Sequence, residues 1–176
     1  MEVCVLTWYD QTIAEYANIN YKINEVYCIR NGINIKRCSV RRHPKRRPHW
    51  ERLQLILEYI ETYDYVMWID ADAHFYIDSQ NIKDLIKQYS QSDFIFSKDN
   101  APYNNGLNSG VFIVKNTKYS KEFINTWAYD QVLFEQCRTS DKSFAIFQDQ
   151  SLLNTMYINN GNIKRFGSQT SDIYQV

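Results

Sequence analysis

The sequence predicts an α/β fold with a mixed, mainly parallel sheet flanked by helices, in a single domain over residues 1–176. Short runs of β-branched and aromatic residues alternate with segments of helical periodicity, the pattern of strands joined by crossover helices. The length of 176 residues suits one domain with a real core, and contents of 44% hydrophobic and 23% charged residues are globular values.

The N-terminal part is predicted to hold two strands around a helix. Residues 2–9, EVCVLTWY, form a short apolar run that indicates a buried first strand. Helical spacing follows over residues 13–20, and a second extended piece is expected at about 33–40. Residues 41–49, RRHPKRRPH, hold two prolines and five Arg or Lys residues, which predicts an exposed loop.

A helix and a central strand follow this loop. The helix is expected from about Trp50 to Ile60, with Pro48 just ahead of its start. Its apolar positions have the spacing of one helical face: Leu53, Ile56, Leu57 and Ile60. Residues 65–69, YVMWI, are an apolar run too short for a helix, so they predict a strand covered on both faces that ends at Asp70.

The C-terminal half continues the alternation. Helical spacing recurs over 82–89, a strand is expected at 93–97, and 107–116, LNSGVFIVKN, predicts a strand behind a turn rich in Asn and Gly. Two closing helices are expected, carrying Phe123 and Trp127 and then Leu152, Leu153 and Met156.

The most informative feature is a pair of carboxylates where the central strand ends. Asp70 and Asp72 lie one residue apart, and ligands of open α/β sheets bind beyond the carboxyl ends of strands. Mg²⁺ and Mn²⁺ bind to a few carboxylate oxygens together with substrate phosphate oxygens. The pair therefore indicates a metal site for a phosphorylated ligand, although a solvated turn has the same composition.

The order of motifs carries a specific resemblance. WIDADAHF, preceded by the Trp50 helix and followed by LNSGVFIVKN and FQDQSLLN, resembles the motif order of GT-A-fold (Rossmann-like) glycosyltransferases. It is most similar to the retaining galactosyl-, xylosyl- and mannosyltransferases of family 34 and their viral or microbial relatives. The resemblance extends from the first strand to about Asn154.

By this resemblance, Asp70-Ala71-Asp72 is the D-x-D motif, whose aspartates hold Mn²⁺ or Mg²⁺ and the donor diphosphate. Arg52 corresponds to a basic residue that points from the Trp helix towards phosphate. Its alternative role is a surface charge paired with Glu51 or Glu58.

The resemblance also implies residues around the donor sugar. Asn108, Ser109 and Gly110 match a segment beside the sugar, where an amide can hold hydroxyls and a glycine allows close approach. Asp149 and Gln150 match an acidic-amide pair that faces the anomeric centre and is assigned here as catalytic. A β-turn for the first segment and helix capping for Asp149 are the structural alternatives.

The end of the first strand resembles the family's nucleotide-base pocket. Thr7, Trp8 and Tyr9 would supply backbone groups and an aromatic wall, and Tyr16 matches a position that lines this pocket from the following helix. Aromatic side chains near a strand end can equally be core residues.

One departure from the family concerns the third metal ligand. Many GT-A enzymes supply a histidine after the D-Q segment, and no histidine follows His74 here. Truncation at the C-terminal end, another group, a water molecule, or His74 itself would each account for this difference.

The sequence thus predicts a retaining, metal-dependent glycosyltransferase that moves a sugar from a nucleoside-diphosphate sugar, a UDP-sugar by preference, to a glycan or other hydroxyl acceptor. The alternatives are a metal-dependent phosphohydrolase or nucleotidyltransferase and a non-catalytic nucleotide-sugar-binding module. A phosphatase of the haloacid-dehalogenase type would carry its aspartates on the first strand.

Charge and targeting signals set the expected partners and location. Because the formal net charge is zero, no nucleic-acid partner is expected. The basic loop at 41–49 is compatible with a solvated loop, an acceptor or phosphate contact, or, against the zero net charge, a nuclear-import or nucleic-acid patch. No membrane segment, signal peptide, glycosylation sequon or paired cysteine motif is found in the chain, which favours the cytoplasm, or the host cytoplasm for a viral protein, although a lost membrane anchor is compatible with the same sequence.

Overall fold

A five-stranded sheet with helices on both faces forms the body of the protein, for which the computed structural model describes residues 1–76, 78–98, 106–140, 148–160 and 173–175. In chain order the elements are β1 (Val3–Trp8), α1 (Ala14–Arg30), β2 (Asn34–Cys38), α2 (Glu51–Tyr59), β3 (Tyr65–Ile69), β4 (Ala73–Phe75), α3 (Ile82–Gln88), β5 (Phe94–Lys98), β6 (Leu107–Lys115), α4 (Lys118–Tyr129), α5 (Gln131–Ser140), α6 (Gln148–Asn160) and β7 (Ile173–Gln175).

The sheet has the strand order β2-β1-β3-β6-β5, and one of its strands is reversed. β1 pairs in parallel with β2 and with β3, whereas β6 is antiparallel to both β3 and β5. The predicted mixed, mainly parallel sheet is therefore confirmed. A separate antiparallel pair, β4 with β7, accompanies it.

Alternating side chains of the strands form a core on each face of the sheet. On one face, Leu6 and Trp68 pack with residues of α2, α4 and α6. On the other, Val5 and Met67 pack with residues of α1 and α3. Two-sided burial explains the continuous apolar run of β3, which was predicted as a central strand.

Three local predictions differ from the structure. Asn108 to Gly110 lie within β6 and not in a preceding turn. Helix α1 extends to Arg30, and Gly32, whose φ is +59°, follows its end, as left-handed glycines commonly do. Within the described ranges three helices, not two, follow β6, since the prediction missed α5, which packs against α6.

The basic loop is held by a buried carboxylate. The Glu51 side chain accepts hydrogen bonds from the backbone N–H groups of Arg42 and His43 at 2.7 and 2.9 Å, and it pairs with Arg41 at 3.2 Å. Arg46 packs its guanidinium 4.3 Å from the centre of the Trp50 ring. These contacts pack the loop against the start of α2, so only part of it is solvated.

None of the helices in the described ranges combines the length and the apolar character that crossing a bilayer requires.

Candidate active site

Asp70 and Asp72 directly follow β3, at the carboxyl end of the parallel strands. The backbone N–H of Asp70 donates to the Gly110 carbonyl at 2.8 Å, so the pairing of β3 with β6 continues as far as the first aspartate. The Trp68 indole N–H donates to Asp70 Oδ1 at 2.6 Å and fixes that carboxylate. Asp72 is half-buried, and within the described ranges no other side chain donates a hydrogen bond to it. Its carboxylate is thus available to a ligand.

Arg52 connects this acid pair to a third carboxylate. Its side chain, in the first turn of α2, is 6% exposed and lies 3.3 Å from Asp70 Oδ1 through Nη2 and 3.3 Å from Asp149 Oδ2 through Nε. Nε also donates to the His49 carbonyl at 2.8 Å, and Nη1 donates to the Ser109 carbonyl and, at 2.9 Å, to Ser109 Oγ. One guanidinium therefore holds residues from four segments of the chain.

The alternative of a surface charge for Arg52 is wrong. Glu51 pairs with Arg41 at 3.2 Å, and Glu58 pairs with Arg42 at 2.6 Å, so both acids of α2 are engaged by the basic loop. Arg52 is buried and directed instead towards Asp70, Ser109 and Asp149. Burial and charge pairing across the sheet decide its position, and helical spacing of charges alone does not reveal them.

The predicted sugar-side segment lies at the start of β6. Because β6 runs antiparallel to β3, its first residues meet the end of β3, and Ile69 pairs with Val111. Asn108 Oδ1 accepts a hydrogen bond from Gly110 N–H at 2.7 Å, and Gln150 Oε1 accepts from Ser109 N–H at 3.0 Å. The β-turn interpretation of this segment is wrong, because a strand places it beside the acids.

Asp149 and Gln150 open α6 and are buried, with 3% and 9% exposure. The Trp127 indole N–H donates to the Asp149 carbonyl at 2.8 Å, which fixes the helix start against α4. The Asp149 side chain faces Arg52 and lies 3.6 Å from His49 Nε2. Within the described ranges it caps no backbone N–H group, so the capping interpretation is not supported.

Burial sets the protonation of this site. It raises the pKa of Asp70 to about 6, against the opposing effects of the Arg52 charge and the Trp68 hydrogen bond. Burial also raises the pKa of Asp72, and it lowers the pKa of His49 despite the neighbouring Asp149 carboxylate. A ligand with positive charge would therefore stabilise the ionised form of the aspartates.

The predicted nucleotide-base residues fall into two groups. Trp8 and Tyr9 are buried and already have protein partners, since Trp8 Nε1 donates to the Val40 carbonyl at 3.2 Å and the Tyr9 hydroxyl donates to Asn18 at 2.9 Å. Thr7 is buried, and its hydroxyl has no hydrogen-bond partner among the described residues. Tyr16 is 46% exposed and close enough to the two aspartates for their charges to raise its pKa, after the larger effect of burial. The structure thus brings Tyr16 to the acids.

The two aspartates suit a divalent cation of the Mg²⁺ or Mn²⁺ type. Both contacts of Asp70 use Oδ1, and within the described ranges Oδ2 carries no hydrogen bond or ion pair. Such a cation commonly binds to one or two carboxylates while phosphates and water complete its shell. No group of three or more His, Cys, Asp or Glu side chains suited to a metal occurs in the described part of the chain. His74 does not join the two aspartates in such a group, and its Nδ1 lies 3.2 Å from Asn20 Oδ1.

His49 is the site residue that the sequence did not reveal. It was predicted only as part of the basic loop, yet its ring lies against Asp149 and its carbonyl accepts from Arg52. His49 and Arg52 are three residues apart across the start of a helix, a spacing that places two side chains on one face. This spacing is the sequence feature that could have identified His49 as a site residue.

Solved structures identify the class of this architecture. A glycosyltransferase involved in glycosylation of the major capsid of PBCV-1 matches with a TM-score of 0.64 and 16% identity, over 89% of this chain and 75% of its own. The galactosyltransferase LgtC, in complex with donor and acceptor sugar analogues, matches with a TM-score of 0.61 and 19% identity, over 91% of this chain and 72% of its own. The chain has the GT-A fold of glycosyltransferases, which confirms the predicted fold class.

A family model matches nearly the whole chain. The chain belongs to the family DUF273, described as a protein of unknown function, whose model matches residues 11–176. Galactomannan galactosyltransferase 1 of Cyamopsis tetragonoloba is 26% identical over 125 residues, which cover 65% of this chain and 28% of that protein. The chain spans about a quarter of the length of the curated relatives it matches.

Proposed function

We propose that this chain is the donor-binding, catalytic core of a glycosyltransferase. It moves a sugar from a nucleoside-diphosphate sugar, a UDP-sugar by preference, to a glycan or other hydroxyl acceptor, with Mn²⁺ or Mg²⁺ and retention of anomeric configuration. One observation carries the proposal: Arg52 joins Asp70, at the end of β3, to Asp149, at the start of α6. The fold and the names of the relatives support the same reaction class.

The charge of the site favours a cation-bound diphosphate. Asp70, Asp72 and Asp149 bring three carboxylates, whereas Arg52 is the cation in contact with two of them. Asp70 and Asp72 would hold the divalent ion, which when bound neutralises charge on the leaving diphosphate. Arg52 keeps the Asp70 carboxylate oriented and lowers its pKa, so it favours the ionised form that a metal ligand requires.

The sugar end of the site is assigned to Asp149, with Gln150 in a supporting role. Gln150 Oε1 already accepts from both Ser109 N–H and Ser109 Oγ, at 3.0 and 3.3 Å, so it orients the start of β6. Asp149 is buried, and its Oδ2 is ion-paired with Arg52 Nε at 3.3 Å, so the carboxylate is held in its ionised, oriented form. A carboxylate in this position can stabilise positive charge at an oxocarbenium-like anomeric centre during front-face substitution. Asn108 would contribute contacts to sugar hydroxyls.

Calorimetric titration of UDP, and separately of GDP, with and without Mn²⁺, tests the donor site. We expect Mn²⁺-dependent binding of UDP that is lost in Asp70→Ala/Asp72→Ala, because the ion bridges these carboxylates and the diphosphate. The matched control is Asp64→Ala/Asp84→Ala, which removes two exposed carboxylates. Binding of neither nucleotide by the folded wild type would overturn the proposal.

Turnover separates an enzyme from a binding module. Hydrolysis or transfer of the bound donor, followed by NMR of the anomeric proton, should give a product with the donor's configuration. Asp149→Ala is expected to abolish turnover while UDP binding persists, and Gln150→Ala should reduce it less. UDP binding without any donor turnover would instead favour the non-catalytic module, and an inverted product would refute retention.

A further inference from the structure

His49 and Asp149 form a polar pair with no direct hydrogen bond between them. His49 Nε2 is buried and has no hydrogen-bond partner among the described residues, whereas Asp149 Oδ2 is ion-paired with Arg52 Nε at 3.3 Å and leaves Oδ1 towards the ring. His49 Nε2 lies 3.6 Å from Asp149 Oδ1, which is too long for a direct hydrogen bond. The large majority of buried side-chain polar atoms are hydrogen-bonded in folded proteins, so the gap between His49 Nε2 and Asp149 is suited to a third polar group.

The surroundings hold both side chains in place. The His49 carbonyl accepts from Arg52 Nε at 2.8 Å, and Arg52 is itself held by Ser109. The Asp149 backbone is fixed by the Trp127 indole at 2.8 Å. A pre-positioned pair of this kind binds a ligand group without first ordering the side chains.

The chemistry of the pair matches a hydroxyl group. A neutral imidazole with its proton on Nε2 donates one hydrogen bond, and a carboxylate accepts one. A hydroxyl both accepts and donates, so a single oxygen within about 2.9 Å of both atoms satisfies the two side chains. Burial lowers the pKa of His49, against the effect of Asp149 and together with those of Arg52, Arg47 and Arg41, which favours the neutral ring.

We propose that His49 and Asp149 together bind one hydroxyl of the donor sugar, so that His49 selects the sugar. This inference rests on the proposed function. The position of the pair favours the donor sugar over the acceptor. Arg52 contacts both Asp149 and Asp70, each at 3.3 Å, so only this side chain separates the pair from the acids assigned to the diphosphate. His49 is a binding and positioning residue here, and no proton transfer is assigned to it.

The test compares nucleotide with nucleotide sugar in His49→Phe and His49→Gln. Mn²⁺-dependent affinities are measured for UDP, UDP-galactose, UDP-glucose and UDP-xylose, and for GDP and GDP-mannose. His43→Phe is the matched control, because His43 belongs to the same loop, is half-buried like His49 and packs against Tyr129 away from the acids. Because bare UDP has no sugar hydroxyls, its affinity reports folding and the diphosphate site.

We expect His49→Phe to weaken binding of the preferred nucleotide sugar about tenfold, the effect of one lost hydrogen bond with a buried partner left unpaired, while UDP binding is unchanged. His49→Gln, which retains an N–H donor, should restore most of the affinity, and His43→Phe should resemble wild type. Discrimination among the sugars should fall in His49→Phe.

Two results would overturn the inference. One is equal affinity of wild type and His49→Phe for the nucleotide sugar, which together with a raised acceptor KM would move the hydroxyl to the acceptor. The other is a parallel loss of UDP affinity. If no nucleotide binds to the folded wild type, the proposed function itself fails. A loss of nucleotide-sugar affinity in His49→Phe with unchanged UDP affinity supports both the inference and the proposed function.

Discussion

Replacing Arg52 with leucine tests the network around this residue most directly. Arg52→Leu keeps an apolar side chain on α2 but removes the guanidinium that lies 3.3 Å from both Asp70 and Asp149. The Asp70 and Asp149 side chains are 23% and 5% exposed, so neither carboxylate regains full hydration when its partner is lost. Because breaking a buried ion pair by removing one partner costs about 3–5 kcal/mol, we expect a loss of unfolding free energy in that range.

Urea denaturation of metal-free protein, in the presence of a chelator, measures this loss. In a domain of this length, a loss of about 3–5 kcal/mol should lower Tm by about 6–20 °C. The matched control is Arg42→Leu, whose ion pair with Glu58 is partly exposed on both sides. A surface pair contributes about 0–1 kcal/mol, so the control should remain close to wild type.

The pH dependence of the loss identifies its cause. Arg52 lowers the pKa of Asp70, so replacing Arg52 raises that pKa further. The unpaired Asp70 carboxyl then takes up a proton at a higher pH than in the wild type. The deficit relative to wild type should therefore be larger at about pH 8 than at about pH 5. A loss no greater than that of Arg42→Leu, or a deficit independent of pH, would refute the assigned role of Arg52.

Two further predictions concern Asp70 and the start of β6. Because burial raises the pKa of Asp70 from 3.8 to about 6, the native metal-free protein binds more protons than the unfolded chain between these values. Its contribution to stability is therefore lost as pH rises through about 6, by about 3 kcal/mol in total, and Asp70→Asn should flatten this pH profile in urea denaturation. Identical slopes for the two proteins would contradict the raised pKa. Gly106→Ala should destabilise by about 1–3 kcal/mol, because a Cβ there overlaps the Asn154 side-chain amide, which accepts from Leu107 N–H at 2.7 Å. Combining it with Asn154→Ala should cost less than the sum in thermal denaturation, and strict additivity would count against the overlap.

The sequence predicted those parts of the protein in which local pattern and tertiary burial agree. Residues 65–69 read as a buried strand because both faces of β3 are covered, and the helix after Pro48 read as amphipathic because one face packs on the sheet. The fold class follows from such elements and is confirmed. Asp70 and Asp72 could be placed at a strand end for the same reason.

The remaining features depend on contacts between distant parts of the chain. Asn108, Ser109 and Gly110 have the composition of a turn, yet pairing with β3 and the hydrogen bond from Ser109 N–H to Gln150 hold them in a strand. Arg52 has the local sequence of a surface helix charge. Its burial depends on acids 18 and 97 positions further along the chain, at Asp70 and Asp149. Local periodicity contains no information about either contact.

The reversal of β6 is what assembles the candidate site. In an entirely parallel sheet, the neighbour of β3 would present its carboxyl end beside Asp70, and the side chains there would be those at the end of a buried apolar run. Because β6 is antiparallel, its polar first residues lie there instead, and Gly110 bonds directly to Asp70 N–H. The same edge then receives the start of α6, which brings Asp149 within reach of Arg52. Three carboxylates beside one guanidinium leave an excess of negative charge in a partly buried place, a cost to the unliganded fold that a bound divalent cation would offset.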